Sequence, residues 1–167
     1  MGGLLRNGLT LLLALCSKRR MPNASISTFF LITPIDVGIA KLKSDRYLRL
    51  TEAAQIDFMA CTRLFLTLLH RRYSFVNAAV LIRFAVPIRV LSWVTIESRV
   101  IYQDERFAYF EHLFVSQGRQ CACVLVKMKF KQARYTINPG TLLGSAGYEV
   151  KPDYLHDWDR LLDQSWS

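Results

Sequence analysis

A long apolar stretch in the first half of the chain decides the fold: YLRLTEAAQIDFMACTRLFLTLLHRR, residues 47–72. Its apolar side chains recur at helical spacing for roughly seven turns and nearly encircle the helix axis. Charged residues interrupt the stretch at Arg49, Glu52, Asp57 and Arg63, which excludes a membrane-spanning helix. A helix that is apolar on most sides is buried on most sides. We therefore expect a central helix that the rest of the chain covers.

The sequence on either side of this helix is typical of β-strands. Residues 25–33 are rich in β-branched and aromatic side chains, and Pro34 ends the run. Four strand-like runs follow the helix, at residues 75–84, 90–103, 106–116 and 120–131. Short turns join the last three runs, so these are predicted to be antiparallel neighbours.

This order of elements predicts an α+β fold in two layers, in which one face of an antiparallel sheet covers the helix. The last run alternates clearly, and an entirely apolar set of side chains faces one way: Ala122, Val124, Val126, Met128 and Phe130. The opposite face also carries apolar residues and has to be covered. We therefore expect a homodimer or a higher homo-oligomer.

The chain is strongly basic. Its 167 residues are 51% hydrophobic and 21% charged, a globular composition, and the formal net charge is +9. Such a charge favours an anionic partner, namely nucleic acid, an acidic membrane surface or a phosphate-bearing ligand. A nucleic-acid binder usually has a dense basic stripe with interleaved aromatic residues. We expect no nucleic-acid partner, because the only candidate stripe is Lys127, Lys129, Lys131 and Arg134, which at strand spacing forms one charged face of an edge strand.

The four cysteines predict neither a disulfide framework nor a metal site. Cys121 and Cys123 stand two residues apart on a strand, roughly 6.5–7 Å, which makes a poor disulfide pair. The three histidines are far apart in the sequence, and His112 is expected to be a hydrogen-bonded structural residue. We predict buried thiols in a reducing, cytoplasmic compartment, with no metal and no cofactor.

Three segments are predicted: an N-terminal amphipathic helix or extension at 1–22, a main domain at 23–144, and an acidic tail at 145–167 with a short helix at 153–164. The apolar stretch at residues 9–16 is far too short to span a bilayer. It is predicted to pack on the domain. The alternative is peripheral contact with a membrane through the basic residues 18–20.

Two carboxylates bracket the start of the central helix. Asp36 lies in the loop before it, and Glu52 lies in its second turn, with Ser44 or Asp45 as the expected N-cap. The first backbone N–H groups of a helix have no partner within it, so they can hold a developing oxyanion. A carboxylate beside them can act as base or nucleophile. The pattern is compatible with acyl transfer.

Simpler interpretations of the same residues stay open. Asp36 follows a proline closely and can hold a turn. Glu52 can pair with Arg49, three residues earlier on the helix. Ser44 can be a cap, and Tyr47 can belong to the core.

This part of the chain resembles the hotdog-fold thioesterases, the superfamily that includes 4-hydroxybenzoyl-CoA thioesterase and bacterial long-chain acyl-CoA thioesterases. The family pattern is an Asp-x-Asp loop, then His-x-Asn-Asn, then Arg-Tyr-Leu and a helical Glu. Arg46-Tyr47-Leu48 and Glu52 match its second half. Residues 107–115, with Glu111-His112, resemble the matching strand of the family.

The first half of the pattern departs from the family. Val37 stands where the family has its catalytic Asp, and Lys41 stands in the place of the His. Lys43 and Ser44 take the places of the paired Asn. Asp36 is one residue away from the catalytic position.

The resemblance implies a hotdog fold, with the sheet wrapped around the central helix, and a thioester hydrolase acting on acyl-CoA or an acyl carrier protein. Asp36 would activate water or attack the carbonyl, and Glu52 would orient the water. The implied substrate-binding residues are Ser44, Arg46, Tyr47, Leu48, Phe58, Met59, Lys41 and Lys43. The alternative is a catalytically degenerate hotdog module that binds acyl-thioesters or a protein partner.

Overall fold

The computed structural model describes residues 20–38 and 40–165. The chain begins with strand β1 (Ile26–Leu31), a 3-10 turn (Pro34–Asp36), helix α1 (Ser44–Cys61) and helix α2 (Leu64–His70). It continues through β2 (Ser74–Phe84), β3 (Trp93–Gln103), β4 (Ala108–Ser116), β5 (Arg119–Gln132) and β6 (Tyr135–Ile137). Helices α3 (Gly140–Leu143) and α4 (Asp153–Gln164) follow.

The strands form one antiparallel sheet in the order β1-β3-β4-β5-β2, with β6 paired to the end of β5. The prediction that β3, β4 and β5 are antiparallel neighbours is confirmed. A tight turn joins β4 to β5, and Gln117 and Gly118 both have positive φ angles there, 51° and 70°. This conformation matches the twist of a hairpin, and glycine adopts it without strain.

The sheet wraps around α1, as the α+β prediction and the hotdog resemblance require. Leu50, Ala54 and Phe58 of the helix are completely buried. The predicted inner face of β5 is buried as well: Ala122, Val124, Val126, Met128 and Phe130. Phe58 meets Phe110 of β4 edge to face, with ring centroids 5.4 Å apart. The core therefore lies between the helix and the concave face of the sheet.

The prediction of one uninterrupted helix from residue 47 to residue 72 is wrong at one point. α1 ends at Cys61, and Arg63 has a left-handed backbone with φ of 59° before α2 begins. The hydroxyl of Thr62 donates a hydrogen bond to the carbonyl of Phe58 at 2.7 Å, which competes with the helical pattern. The helix also starts earlier, with Lys43 at the N-cap position and no side-chain cap, instead of Ser44 or Asp45.

The C-terminal helix α4 covers part of the convex face of the sheet. Leu155 and Trp158 are buried against Ile101 and Tyr109 in a second apolar cluster. The apolar residues on this face, which favoured an oligomer in the sequence, are therefore covered in part by the chain itself. The predicted N-terminal amphipathic segment lies outside the described residues, apart from its last few positions. No helix within 20–38 or 40–165 is long and apolar enough to cross a membrane.

Candidate active site

A groove of about 390 Å³ lies between the middle of α1 and the start of β2. Its lining residues are Glu52, Gln55, Ile56, Phe75, Val76 and Asn77. β2 is the last strand in the sheet order, so its outer edge pairs with no other strand among the described residues. The groove is consequently open along this edge of the sheet.

The wall of the groove contains polar side chains that the sequence analysis did not single out. Gln55 is only 1% exposed, and its Oε1 accepts a hydrogen bond from Nδ2 of Asn77 at 3.3 Å. Its Nε2 is buried and has no hydrogen-bond partner among the described residues. The same holds for Oγ1 of Thr51, one turn earlier on the same side of α1. A buried donor left unpaired costs about 1–3 kcal/mol, so each such group calls for an explanation.

Glu52 supplies a carboxylate at the mouth of this groove, where it is exposed. The site thus combines a carboxylate that can accept a proton with the amide N–H donors of Gln55, which no group in the described part of the chain uses. Such a pair can activate a water molecule and stabilise negative charge on a carbonyl oxygen.

The structure places Asp36 in a different environment. It is 3% exposed, and its Oδ2 accepts hydrogen bonds from the backbone N–H of Thr33 at 3.1 Å and from the Thr33 hydroxyl at 2.7 Å. These bonds close the 3-10 turn. Its carbonyl accepts from the N–H of Lys43 at 3.3 Å, and the rise of α1 then places Glu52 roughly 13 Å further along the axis. Within a single subunit, the carboxylates of Asp36 and Glu52 are therefore far apart.

Four more predicted residues lie at the start of α1. Lys43, Ser44 and Leu48 are exposed. Arg46 is half-buried, with its Nε 3.6 Å from a carboxylate oxygen of Asp45. The N–H of Arg46 donates to the carbonyl of Lys43 at 3.0 Å, so this amide is already used within the helix.

The remaining predicted residues on α1 belong to the core. Tyr47 packs against Phe84 and Phe114, with ring centroids 5.0 and 5.2 Å away. Burial raises the pKa of its hydroxyl, which is hydrogen-bonded to the backbone of Ile88. Phe58 and Met59 are fully buried and do not line the groove. Their assignment to an acyl-chain site stays a prediction.

Lys41 lies at the other end of the sheet, in a second cavity of about 320 Å³. That cavity also contains Arg89 and Arg119.

His112 is the structural residue that the sequence predicts. It is completely buried on β4, and its Nδ1 lies 2.8 Å from the hydroxyl of Ser98 on β3. Burial lowers its pKa to about 3, so the ring is neutral. In the described part of the chain, no three His, Cys, Asp or Glu side chains gather in a way that could hold a metal ion.

The chain belongs to the thioesterase-like superfamily, since the model of that family matches residues 39–136. The match covers α1, the groove and strands β2 to β5, and it ends before α4. No curated protein matches the chain in a sequence comparison.

Solved structures similar to this one include several thioesterases. A probable thioesterase from Bartonella henselae has a TM-score of 0.63 and 16% identity, over 69% of this chain and 98% of that one. The probable thioesterase YbaW from Escherichia coli has a TM-score of 0.65 and 15% identity, over 71% and 92%. A thioesterase from Thermus thermophilus, solved with coenzyme A and Zn, has a TM-score of 0.61 and 17% identity, over 70% and 87%. These likenesses confirm the hotdog fold.

Proposed function

We propose that this protein hydrolyses an acyl thioester of coenzyme A or of an acyl carrier protein, in the groove between α1 and β2. The observation that carries the proposal is the position of Glu52 at the mouth of the groove, one helical turn from the unpaired Nε2 of Gln55. Membership of the thioesterase-like superfamily supports it. The structural likeness to a thioesterase solved with coenzyme A supports a CoA thioester as substrate.

In this mechanism Glu52 accepts a proton from a water molecule as the water oxygen attacks the thioester carbonyl carbon. The carbonyl oxygen becomes an oxyanion, and Nε2 of Gln55 donates a hydrogen bond to it. The tetrahedral intermediate collapses by breaking the carbon–sulfur bond. The thiolate of the carrier leaves and takes the proton back from Glu52, so the base is restored.

Asp36 has a different role in this proposal. Its two hydrogen bonds to Thr33 hold the loop that leads into α1, and the loop in turn sets where the helix begins. The alternative prediction, in which Asp36 activates water, is tested below by a substitution that keeps its size.

We also propose that the protein acts as a homodimer, joined through the open edges of two β2 strands. β2 is 11 residues long, and an unpaired strand of that length readily pairs with another. It carries exposed apolar side chains at Val76, Val80, Leu81 and Phe84. Pairing would cover these side chains and close the groove on its open side.

The reduced thiols of Cys61, Cys121 and Cys123 favour a reducing compartment such as the cytoplasm.

The proposed activity is tested by incubating the purified protein with acyl-CoAs of increasing chain length and measuring free thiol release. The proposal expects release that peaks at one chain length, because the groove has a fixed size. A protein that binds acyl-CoA but releases no thiol from any of them would contradict it.

That negative result would favour the second candidate function, a module that binds acyl-thioesters or a protein partner without hydrolysing them. The departures of this chain from the family pattern support this second candidate. Val37, Lys41, Lys43 and Ser44 stand where the family pattern has its Asp, His and paired Asn.

A further inference from the structure

Helix α2 presents leucine side chains to the solvent. Its inner side is buried at Leu64 and Leu68, but Leu66 is 50% exposed and Leu69 is 69% exposed. The two exposed leucines are three residues apart, so they lie on one side of the helix. Met21, just before β1, is 66% exposed and lines a cavity together with residues of α2. Three exposed apolar side chains therefore lie at one end of the molecule.

Four exposed arginines accompany these apolar side chains. Arg63 directly precedes α2, and Arg71 and Arg72 directly follow it. The helical rise places Arg71 roughly 12 Å from Arg63 along the axis. Arg20 lines the same cavity as Arg63, and its N–H donates to the carbonyl of Cys61 at 3.1 Å. We call the following residues the α2 surface: Arg20, Met21, Arg63, Leu66, Leu69, Arg71 and Arg72.

None of the four arginines forms an ion pair within the described chain. The sequence gives the reason, because residues 58–96 and 112–148, which contain α2, β2, β5, β6 and α3, include no Asp or Glu. One carboxylate, that of Asp57, lies within electrostatic reach of Arg20, but it is buried and accepts a hydrogen bond from the Thr28 hydroxyl. The α2 surface therefore combines exposed apolar groups with uncompensated positive charge.

The cavity beside α2 has a volume of about 480 Å³, and no carboxylate lines it. Arg20 and Arg63 contribute to its lining, together with the hydroxyl-bearing residues Thr67, Thr141 and Ser145. Arginine binds phosphate through charge-assisted hydrogen bonds, and hydroxyl groups add further donors. The cavity therefore suits the phosphate of a phospholipid headgroup.

We propose that the α2 surface docks on a membrane that contains anionic phospholipids. Leu66 and Leu69 insert between the headgroups and the acyl chains, the arginines contact lipid phosphates, and one headgroup occupies the cavity. Charge complementarity selects this partner, since exposed leucines among unpaired arginines match a surface that is anionic outside and apolar beneath. The 19 residues before Arg20 add three cations and no acidic residue. The inference does not depend on the proposed thioester hydrolysis.

The first test measures co-sedimentation of the full chain with phosphatidylcholine vesicles that contain about one third phosphatidylglycerol, and with vesicles of phosphatidylcholine alone. Wild type should bind the anionic vesicles much more tightly. R63Q/R71Q should lower the partition coefficient on them roughly 25-fold, since each basic residue near an anionic surface contributes about fivefold.

The matched control is R89Q/R119Q, which removes two exposed arginines at the other end of β2 and so changes the net charge equally. It should change the partition coefficient by less than about threefold, because charges at that distance from the membrane are screened. Equal weakening by the two double variants would overturn the inference, as would equal binding of wild type to the two kinds of vesicle.

The second test addresses the leucines. L66Q/L69Q should lower the partition coefficient at least about tenfold, because two side chains no longer gain burial in the lipid. Its Tm should match that of wild type, since both leucines are exposed in the folded chain. L91Q/L161Q changes two exposed leucines outside the α2 surface and should bind vesicles as wild type does.

Three further results would overturn the inference. A lower Tm of L66Q/L69Q with unchanged vesicle binding would mean that another part of the chain covers these leucines. Dissociation of that variant into monomers, measured by light scattering, would place them at a contact between subunits. Binding of glycerol 3-phosphate by wild type without any vesicle binding would restrict the cavity to a free phosphate ester.

Discussion

The side chains of Gln55 and Asn77 meet where α1 packs on β2, with Nδ2 of Asn77 3.3 Å from Oε1 of Gln55. This bond fixes the orientation of the Gln55 amide, and it leaves Nε2 as the end that carries an unused donor. A donor held in this way needs no reorganisation when negative charge appears on a substrate. We therefore expect Gln55 to matter more for turnover than for substrate binding.

Gln55→Glu keeps the size of the side chain but removes the N–H donor. We expect kcat to fall roughly a hundredfold while KM changes little, since the donor acts on the transition state. Steady-state kinetics on the preferred acyl-CoA measure this. Gln120→Glu, at an exposed position on β5, is the matched control and should leave kcat unchanged. A larger effect on KM than on kcat would show that Gln55 binds the ground state instead.

Asp36→Asn distinguishes a structural carboxylate from a catalytic one. The amide oxygen can still accept from Thr33, but the charge is lost, so we expect the free energy of unfolding to fall by about 1–2 kcal/mol. Turnover should stay within about tenfold of wild type, because the loop keeps its shape. Urea unfolding and thiol release measure the two quantities. A hundredfold loss of turnover in a stable variant would identify Asp36 as the base.

The burial of His112 makes the free energy of unfolding depend on pH. Its pKa is about 3 in the folded protein, because the ring is buried, and about 6.5 in an unfolded chain. Below pH 6.5 the unfolded chain therefore binds a proton that the native state does not. Stability from this residue is complete above that pH and is lost as the pH falls toward 3.

Urea unfolding at pH 7 and pH 5 tests this expectation. Between pH 7 and pH 5 the free energy of unfolding should fall by about 2 kcal/mol more in wild type than in His112→Gln. This value follows because pH 5 lies about 1.5 units below the pKa of the unfolded histidine. His156→Gln, at an exposed position on α4, should show the same loss as wild type. The same pH slope in His112→Gln and wild type would contradict the assignment.

Asp159 anchors α4 on the convex face of the sheet. Its carboxylate accepts hydrogen bonds from Lys127, Lys151 and Tyr109, and these bonds lower its pKa although burial opposes them. Asp159→Asn should reduce the free energy of unfolding by about 2–4 kcal/mol, since two largely buried lysines lose their counter-charge.

Asp157→Asn provides the comparison for that variant. It removes an ion pair with Arg160 that is exposed on the same helix, so it should cost no more than about 1 kcal/mol. Equal losses in the two variants would mean that the buried network does not hold α4 in place.

The fold was largely predictable because its signals are local. Strand alternation and the helical period of α1 depend on residues a few positions apart, and both appear directly in the sequence. The break at Arg63 was not predictable in this way, since apolar residues continue at helical spacing through Leu64 and Leu68. Only the left-handed backbone at one position separates the two helices.

The candidate site was predictable in part. Glu52 stood out through its place in a family pattern, and the structure places it beside a groove. Gln55 and Asn77 are 22 residues apart, and nothing local indicates that they touch. One signal was available: Thr51 and Gln55 are polar residues at i and i+4 on an otherwise apolar side of a buried helix. Such a pair indicates hydrogen bonding inside the core.

The central claim is that Glu52 is the base of a thioesterase. Its most direct test compares kcat for thiol release by Glu52→Gln and by the control Glu105→Gln, which changes an exposed glutamate in the β3–β4 turn. We expect kcat to be at least a hundredfold lower in Glu52→Gln at unchanged thermal stability, roughly the contribution of a general base, and we expect wild-type kcat in Glu105→Gln. Wild-type turnover in the Glu52→Gln variant would contradict it.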